Sequence, residues 1–217
     1  MIAGTNASTS ALTVAITFST TMTAMTAATT AMTAFIGVTI GPRPDPRTGD
    51  DWGVTSTRLI NLGDAEELVE LLGRNREFLA PWEPVRGPEF FTLDGQRAVI
   101  TRMLAELERG VTVPHVIAAG DRLVGRVTLS NIVRGPFQSC IIGYWVSADA
   151  NGQGHATAAV SRMAQIAFGE LGLHRIEAGT LRHNTGSQRV LERNGFKRIG
   201  VAPAYLSVAG RWQDHVL

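Results

Sequence analysis

The stretch CIIGYWVSADANGQGHAT (residues 140–157) changes character in its middle. Its first seven residues form an apolar run typical of a buried strand, and its last residues begin a segment with helical periodicity. Between the two, NGQGHAT (151–157) sets two glycines and an alanine among polar residues. Glycines between a strand and a helix often let backbone N–H groups surround a phosphate, so the stretch predicts an anion site at a helix N-terminus.

Periodicity on either side of this stretch predicts a mixed α/β fold with helices on the faces of a sheet. The predicted order is β-α-α-β-β-β-α-β-α-β-β. The expected strands lie at 55–62, 114–119, 121–130, 139–147, 174–182, 196–201 and from 210 onward, and the expected helices at 63–75, 92–110, 154–172 and 184–195. A short irregular or helical piece with two prolines is expected between the first two helices.

The first 36 residues differ from the rest, because Thr and Ala supply 20 of them and the first charged side chain is Arg43. Low complexity without a helical or strand period is typical of a disordered leader. It lacks the charged and apolar regions of a signal peptide and the Leu/Ile/Val density of a membrane helix. We therefore expect a leader and Pro/Gly linker at 1–53 and one folded domain at 54–217.

Bulk charge and cysteine content narrow the possible classes of protein. Twenty Lys and Arg against 19 Asp and Glu leave a formal net charge of +1, which argues against a dedicated nucleic-acid binder. The single cysteine, Cys140, excludes an internal disulfide and favours a reducing, cytoplasmic compartment. Because Cys140 lies inside an apolar run, we expect a buried core thiol.

Three kinds of loop fit the glycines of NGQGHAT differently. The dinucleotide fingerprint G-x-G-x-x-G/A fails, because Thr157 occupies its third small position. A phosphate loop of the nucleoside-triphosphatase type requires Gly-Lys-Ser/Thr, which does not occur here. A tight strand-to-helix turn without any ligand is the remaining structural alternative.

Two motifs point to one family. The pattern Q/R-x-x-G-x-G/A falls on residues 151–156, with Asn151 in place of Gln or Arg. The pattern N-x-x-S-x-R-V-L-E-x-x-G-F is matched by Asn184, Ser187, Arg189, Val190, Leu191, Glu192, Gly195 and Phe196. From residue 55 to residue 217 the chain resembles the GNAT superfamily of N-acetyltransferases, in its RimJ/RimL-type branch.

The resemblance implies a central, mostly antiparallel sheet and acetyl-CoA as cosubstrate, without a metal. It implies that Ser187 donates a proton to the departing thiolate, and that a backbone N–H near Val146 polarises the thioester carbonyl. The expected cofactor-binding residues are Trp145, Val146, Asn151, Gly152, Gln153, Gly154, His155, Ala156, Thr157 and Asn184. Many relatives carry an acid where this chain has Ile141, so no general base is assigned.

The resemblance further implies transfer to a protein N-terminus, with a ribosomal protein as one candidate. The alternatives are a small-molecule amine as the acceptor, or a non-catalytic acyl-CoA-binding sensor. Neither a nucleic acid nor a membrane is expected as partner. An acceptor groove is expected between the first two helices (63–75 and 92–109) and the hairpin near residue 210, lined by Trp82, Phe90, Phe91, Tyr205 and Trp212.

The leader generates the first prediction. Because its composition provides too little apolar surface to offset the entropy of ordering the chain, deleting residues 1–50 should leave the thermal midpoint and CoA affinity unchanged. Thermal denaturation and calorimetry of the full-length and shortened proteins check this. A large fall in either quantity would mean that the Thr/Ala segment packs on the domain.

Overall fold

A computed structural model describes residues 55–217. The predicted leader and linker at 1–53 lie outside the described residues. In chain order, the elements are β1 (Thr55–Leu59), α1 (Ala65–Arg74), α2 (Arg76–Leu79), α3 (Leu93–Glu108), β2 (Val113–Ala119), β3 (Arg122–Val133), β4 (Ser139–Val146), α4 (His155–Gln165), β5 (Arg175–Glu177), β6 (Thr180–Leu181), α5 (Thr185–Arg193), β7 (Val201–Val208) and β8 (Arg211–Val216). The predicted order is confirmed, with α2 as the expected short helical piece.

The strands form two sheets. The first has the order β1-β2-β3-β4-β5, antiparallel except for the parallel pair β4–β5, and the second has the order β6-β8-β7. The predicted strand 174–182 is therefore two short strands, one in each sheet. Residues 178 and 179 between them leave the first sheet, so the chain changes sheets at this point.

One predicted strand was wrong. Residues 196–200 contain no strand, and β7 instead covers Val201–Val208. Phe196 is 6% exposed and belongs to the main core, while the four residues after it are exposed. The apolar residues of FKRIGV thus do not share one face of a strand, because the segment anchors Phe196 in the core and then crosses the surface to reach β7.

Two apolar cores lie on opposite faces of the first sheet. One packs α4 against β2, β3 and β4 and includes Val160, Met163 and the thiol of Cys140, which is 1% exposed. The other joins α1 and α3 to the sheet through Leu68 and Ile100. Cys140 is the predicted core thiol, whose burial raises its pKa to about 12.

A buried asparagine fixes the start of the loop that follows β4. Asn75, at the end of α1, donates from Nδ2 to the carbonyl oxygen of Leu71 and to Oγ of Ser147, both at 2.8 Å. Its Oδ1 accepts from the backbone N–H of Ala148 at 2.8 Å. These three bonds hold the segment that leads into NGQGHAT against the helical layer.

The last part of the helix predicted at 154–172 is not α-helical. The α-helix α4 ends at Gln165, and Ile166–Glu170 continues it as a π-helical turn. No helix among residues 55–217 is long and apolar enough to cross a bilayer.

Candidate active site

A cavity of about 460 Å³ lies between the end of β4, the following loop and the start of α5. Ten of the eleven predicted site residues line it. They are Trp145, Val146, Asn151, Gly152, Gly154, His155, Ala156, Thr157, Asn184 and Ser187. The fold thus brings residues from three separate parts of the sequence together around one cavity.

One edge of β4 is unpaired beside this cavity. Among residues 55–217, β4 pairs with β5 only from Ser139 to Ile141, so residues 143–146 have separated from β5. On its other edge, β4 stays paired with β3, and the N–H of Ser147 donates to Val124 O at 2.7 Å.

The direction of the free backbone groups follows from this register. In an antiparallel pair, residues that exchange hydrogen bonds alternate with residues whose N–H and C=O point away from the partner strand. Ser147 bonds to Val124, so Val146, opposite Gly125, belongs to the second kind. The backbone N–H of Val146 therefore faces away from β3, on the side where β5 has left.

The loop after β4 requires glycine at two positions. Gly152 and Gly154 have φ of 76° and 88°, in the left-handed region that residues with a Cβ avoid. Gly154 is also the N-cap of α4, an 11-residue helix. The unpaired N–H groups of its first turn and its positive dipole end therefore meet the cavity at a backbone that carries no side chain.

Polar side chains of this loop are used to hold the loop itself. Asn151 donates from Nδ2 to the carbonyl oxygen of Ser147 at 2.9 Å, and His155 Nδ1 lies 2.7 Å from Oγ1 of Thr55 on β1. Gln153 donates to the carbonyl oxygen of Asp149 at 2.8 Å and does not line the cavity. Its side chain closes the preceding turn, so the predicted cofactor contact of Gln153 stays a prediction that only its backbone N–H could fulfil.

The first turn of α5 presents Ser187 to the cavity. Asn184 is the N-cap, and its Oδ1 accepts from the backbone N–H of Ser187 at 3.0 Å. The hydroxyl of Tyr144 lies 2.8 Å from Ser187 Oγ and 3.2 Å from the Ser187 carbonyl oxygen. Burial raises the pKa of Tyr144, so this hydroxyl remains protonated near neutral pH and holds Ser187 from the opposite wall.

Sequence reasoning missed several residues of the cavity wall. Tyr144 was treated only as part of a strand, although it alternates with Trp145 and must face the other side of the sheet. Arg189 and Arg193 also line the cavity, one helical turn apart on α5. Arg189 lies three residues after Gly186 and four before Arg193, and this i, i+3 and i+7 spacing from Gly186 is the signal that places them on one side of the helix.

Five aromatic residues were predicted to line the acceptor groove. Of these five, Trp82 lines this cavity. Its ring lies 5.3 Å from that of His183. Phe90 and Phe91 pack edge to face beside α3, and Tyr205 packs on His215. Trp212, on β8, is 68% exposed. Phe90, Phe91, Tyr205 and Trp212 do not line this cavity, and the acceptor groove stays a prediction.

Positive charge prevails where the loop and α5 face each other. Arg189 and Arg193 contribute two guanidinium groups to the lining, against no carboxylate among the lining residues. Asp149 does not line the cavity, and its carboxylate accepts hydrogen bonds from Ser147 and Arg122, which lower its pKa to about 2. No group of three His, Cys, Asp or Glu side chains able to hold a metal ion occurs within residues 55–217.

Comparison with known proteins identifies the family. Residues 57–197 match the family described as acetyltransferase (GNAT) domain. The chain is 41% identical over 160 residues to the probable N-acetyltransferase YjcK of Bacillus subtilis, covering 73% of this chain and 88% of that protein. It is 33% identical over 162 residues to the [ribosomal protein uS5]-alanine N-acetyltransferase of Escherichia coli, covering 74% of this chain and 84% of the relative.

A solved structure gives the same result for the fold. RimJ of Mycobacterium smegmatis in complex with CoA-disulfide matches with a TM-score of 0.74 and 33% identity, over 76% of this chain and 80% of that one. The chain belongs to the GNAT family, and the predicted fold and RimJ/RimL-like resemblance are confirmed. It is accordingly an acetyl-CoA-dependent acetyltransferase.

The left-handed loop generates the second prediction. Gly154→Ala should weaken acetyl-CoA binding by about tenfold or more, because the methyl group strains the loop and displaces N–H donors from the anion. Calorimetric titration measures the affinity. Gly110→Ala is the matched control, since Gly110 has φ of 70°, no atom within 4 Å of an added Cβ, and no place in the cavity wall.

Both substitutions should lower the free energy of unfolding by about 1–2 kcal/mol, the cost of a left-handed residue with a Cβ. Only Gly154→Ala should change the affinity. Equal affinities in the two variants would show that the loop does not hold the anion.

Proposed function

We propose that the protein transfers the acetyl group of acetyl-CoA directly to the α-amino group of a protein N-terminus. The observation that carries this proposal is the meeting of three features in one cavity: the unpaired edge of β4, the left-handed glycine loop and the Ser187 hydroxyl. The 33% identity to an enzyme that acetylates the N-terminal alanine of a ribosomal protein supports the choice of acceptor.

Each feature fits one part of acetyl-CoA. The N-terminus of α4, with Gly152 and Gly154, suits the pyrophosphate, and the guanidinium groups of Arg189 and Arg193 add positive charge on the facing helix. The unpaired edge of β4 suits the amides of the pantetheine arm, which can pair with it as an added strand does. Asn184, which lines the cavity, contributes polar atoms to the same arm.

The reaction then needs a polarised carbonyl. The amine nitrogen attacks the thioester carbon, its lone pair forms the new C–N bond, and the carbonyl oxygen becomes negatively charged in the tetrahedral intermediate. The Val146 N–H, which faces away from β3 at the cavity, is the donor placed to stabilise that oxygen. Collapse of the intermediate expels the CoA thiolate, and the nitrogen loses its extra proton.

Ser187 assists the thiolate as it leaves. If the Tyr144 hydroxyl donates to Ser187 Oγ, 2.8 Å away, the serine proton is directed to another acceptor, the developing sulfur anion. The raised pKa of Tyr144 makes it a lasting hydrogen-bond donor and a poor proton source. Ser187 therefore stabilises the thiolate through a hydrogen bond, and a thiol pKa of about 8.5 allows solvent to complete protonation.

An α-amino acceptor reduces the need for a general base. Ile141, at the position where many relatives carry an acid, is buried and apolar. An α-amino group has a pKa of about 7.7–8.0, so about a third of it is neutral at pH 7.5, whereas a lysine at about 10.4 is neutral to only about 0.1%. The described residues of the cavity wall include no carboxylate, which suits an acceptor that is already partly deprotonated. Such a role also suits a soluble protein of the cytoplasm, where ribosomal proteins are made.

Ser187 generates the third prediction. Ser187→Ala should lower kcat by about 10²-fold while leaving the acetyl-CoA Kd nearly unchanged, because the lost hydrogen bond strengthens only as charge develops on sulfur. Tyr144→Phe should have a smaller effect of the same kind. The matched control is Ser161→Ala on α4, a serine outside the cavity wall. Unchanged kcat in Ser187→Ala, with chemistry rate-limiting, would make Ser187 a helix residue only.

The acceptor generates the fourth prediction. In a thiol-release assay, peptides with a free N-terminal Ala or Ser should give the highest kcat/KM, above N-terminally blocked lysine peptides, polyamines and aminoglycosides. A higher kcat/KM on an aminoglycoside or polyamine would make the protein a small-molecule acetyltransferase. Tight acetyl-CoA binding without thiol release on any amine would favour a sensor.

A further inference from the structure

Two buried N–H donors lie side by side on the face of the sheet opposite Ser187. Arg126 of β3 and Trp145 of β4 are register partners, so their side chains neighbour each other on the same face. Arg126 Nη1 and Trp145 Nε1 are both closed to solvent and make no hydrogen bond among the described residues. Buried donors without an acceptor are rare and costly, by about 1–3 kcal/mol each, which indicates a site built for another group.

The surroundings of this pair are positively charged. Burial lowers the pKa of Arg126 to about 10, with Glu83 acting to raise it and Arg86 and Arg102 to lower it. Arg126 therefore stays protonated at neutral pH. The influence of Arg86 and Arg102 on the Arg126 pKa shows that their charges act on the same site, and Glu83 lies 3.7 Å from Nε of Arg86. An anion entering this cluster would be bound by charge as well as by the two free donors.

The cluster adjoins the expected path of the acceptor. Trp145 lines the cavity, and so does Trp82, which immediately precedes Glu83. The carbonyl oxygen of Glu83 accepts from the N–H of Ala209 at 3.0 Å, so the turn between β7 and β8 is fixed to this segment. Trp82 and Trp145 thus bring this part of the cavity wall next to the segment of Glu83, to which the turn is bonded.

We propose that Arg126, together with the Trp145 indole N–H, binds a carboxylate of the acceptor located within a few bonds of the reactive amine. This inference rests on the proposed transfer to an α-amino group and specifies which N-termini are preferred. The carboxylate has two sources, an acidic side chain at the second or third residue of a peptide, or the α-carboxylate of a very short peptide. Both are planar acceptors that match the fork of a guanidinium group.

The test compares peptides that differ in one group. Peptide amides that begin Ala-Glu, Ala-Gln and Ala-Lys but are otherwise identical separate charge from size, and Ala-Ala with a free or an amidated C-terminus tests the second source. Wild-type protein should favour Ala-Glu over Ala-Gln by about tenfold or more in kcat/KM, mainly through KM, as one charge-assisted hydrogen bond contributes. Ala-Lys should be the poorest substrate. A preference for free Ala-Ala over its amide, without one for Ala-Glu, would assign the site to the α-carboxylate.

Two variants locate the effect. Arg126→Gln should reduce the Ala-Glu to Ala-Gln ratio to about 1, and Arg126→Lys should give an intermediate ratio because it keeps the charge without the fork. Arg97→Gln is the matched control. This substitution also removes one positive charge, but from α3, where Arg97 is half exposed and lies 3.8 Å from Glu66. The Arg97→Gln protein should keep the wild-type ratio of kcat/KM for Ala-Glu to that for Ala-Gln. Acetyl-CoA affinity, measured in parallel, reports an intact fold.

The outcomes are distinct. Equal kcat/KM for all peptides in the wild type overturns the carboxylate site and leaves N-terminal acetylation in place. Loss of the ratio in Arg97→Gln as well assigns the preference to overall charge and also overturns it. No turnover on any peptide overturns the proposed acceptor and this inference with it. If Arg126→Gln fails to fold, equal kcat/KM values in the wild type still overturn the site, and Arg126→Lys still locates the effect.

Discussion

The separation of β4 from β5 after Ile141 is the constraint on which the site depends. A strand inside a sheet has its backbone groups paired on both sides, and leaving them buried without partners is costly. Here β4 keeps β3 on one side, and its other edge opens into a cavity of about 460 Å³. An extended ligand with amide groups can pair with that edge, so the sheet itself supplies part of the binding site.

The loop and helix that follow also present backbone groups to the cavity. Gly152 and Gly154 bring N–H donors to the cavity by adopting left-handed conformations, while the side chains of Asn151 and Gln153 hold the loop to its own neighbours. Asn75 fixes the preceding segment from the helical layer. The side chain of Asn151, which stands where the motif has Gln or Arg, is used to hold the loop.

Side chains on the two faces of β4 contact different groups. Tyr144 points to α5 and contacts Ser187, on the side where we propose that the thiolate departs. Trp145 points the other way, toward the layer of α1 and α3, on the same face as Arg126. Alternation along one strand thus separates the group proposed to assist the leaving sulfur from the groups proposed to meet the acceptor.

The sequence alone determined the order of the elements, the family and most of the residues that line the cavity. These follow from local signals: periodicity, two glycines with a required backbone geometry, and the N-cap and serine spacing of Asn184 and Ser187. Only the tertiary structure decided what depends on distant partners. The pairing of Tyr144 with Ser187 joins residues 43 positions apart, and the unpaired donors of Arg126 and Trp145 arise from strand register. The same reason explains the misplaced strand at 196–201, because burial of Phe196 against α5 overrides local strand preference.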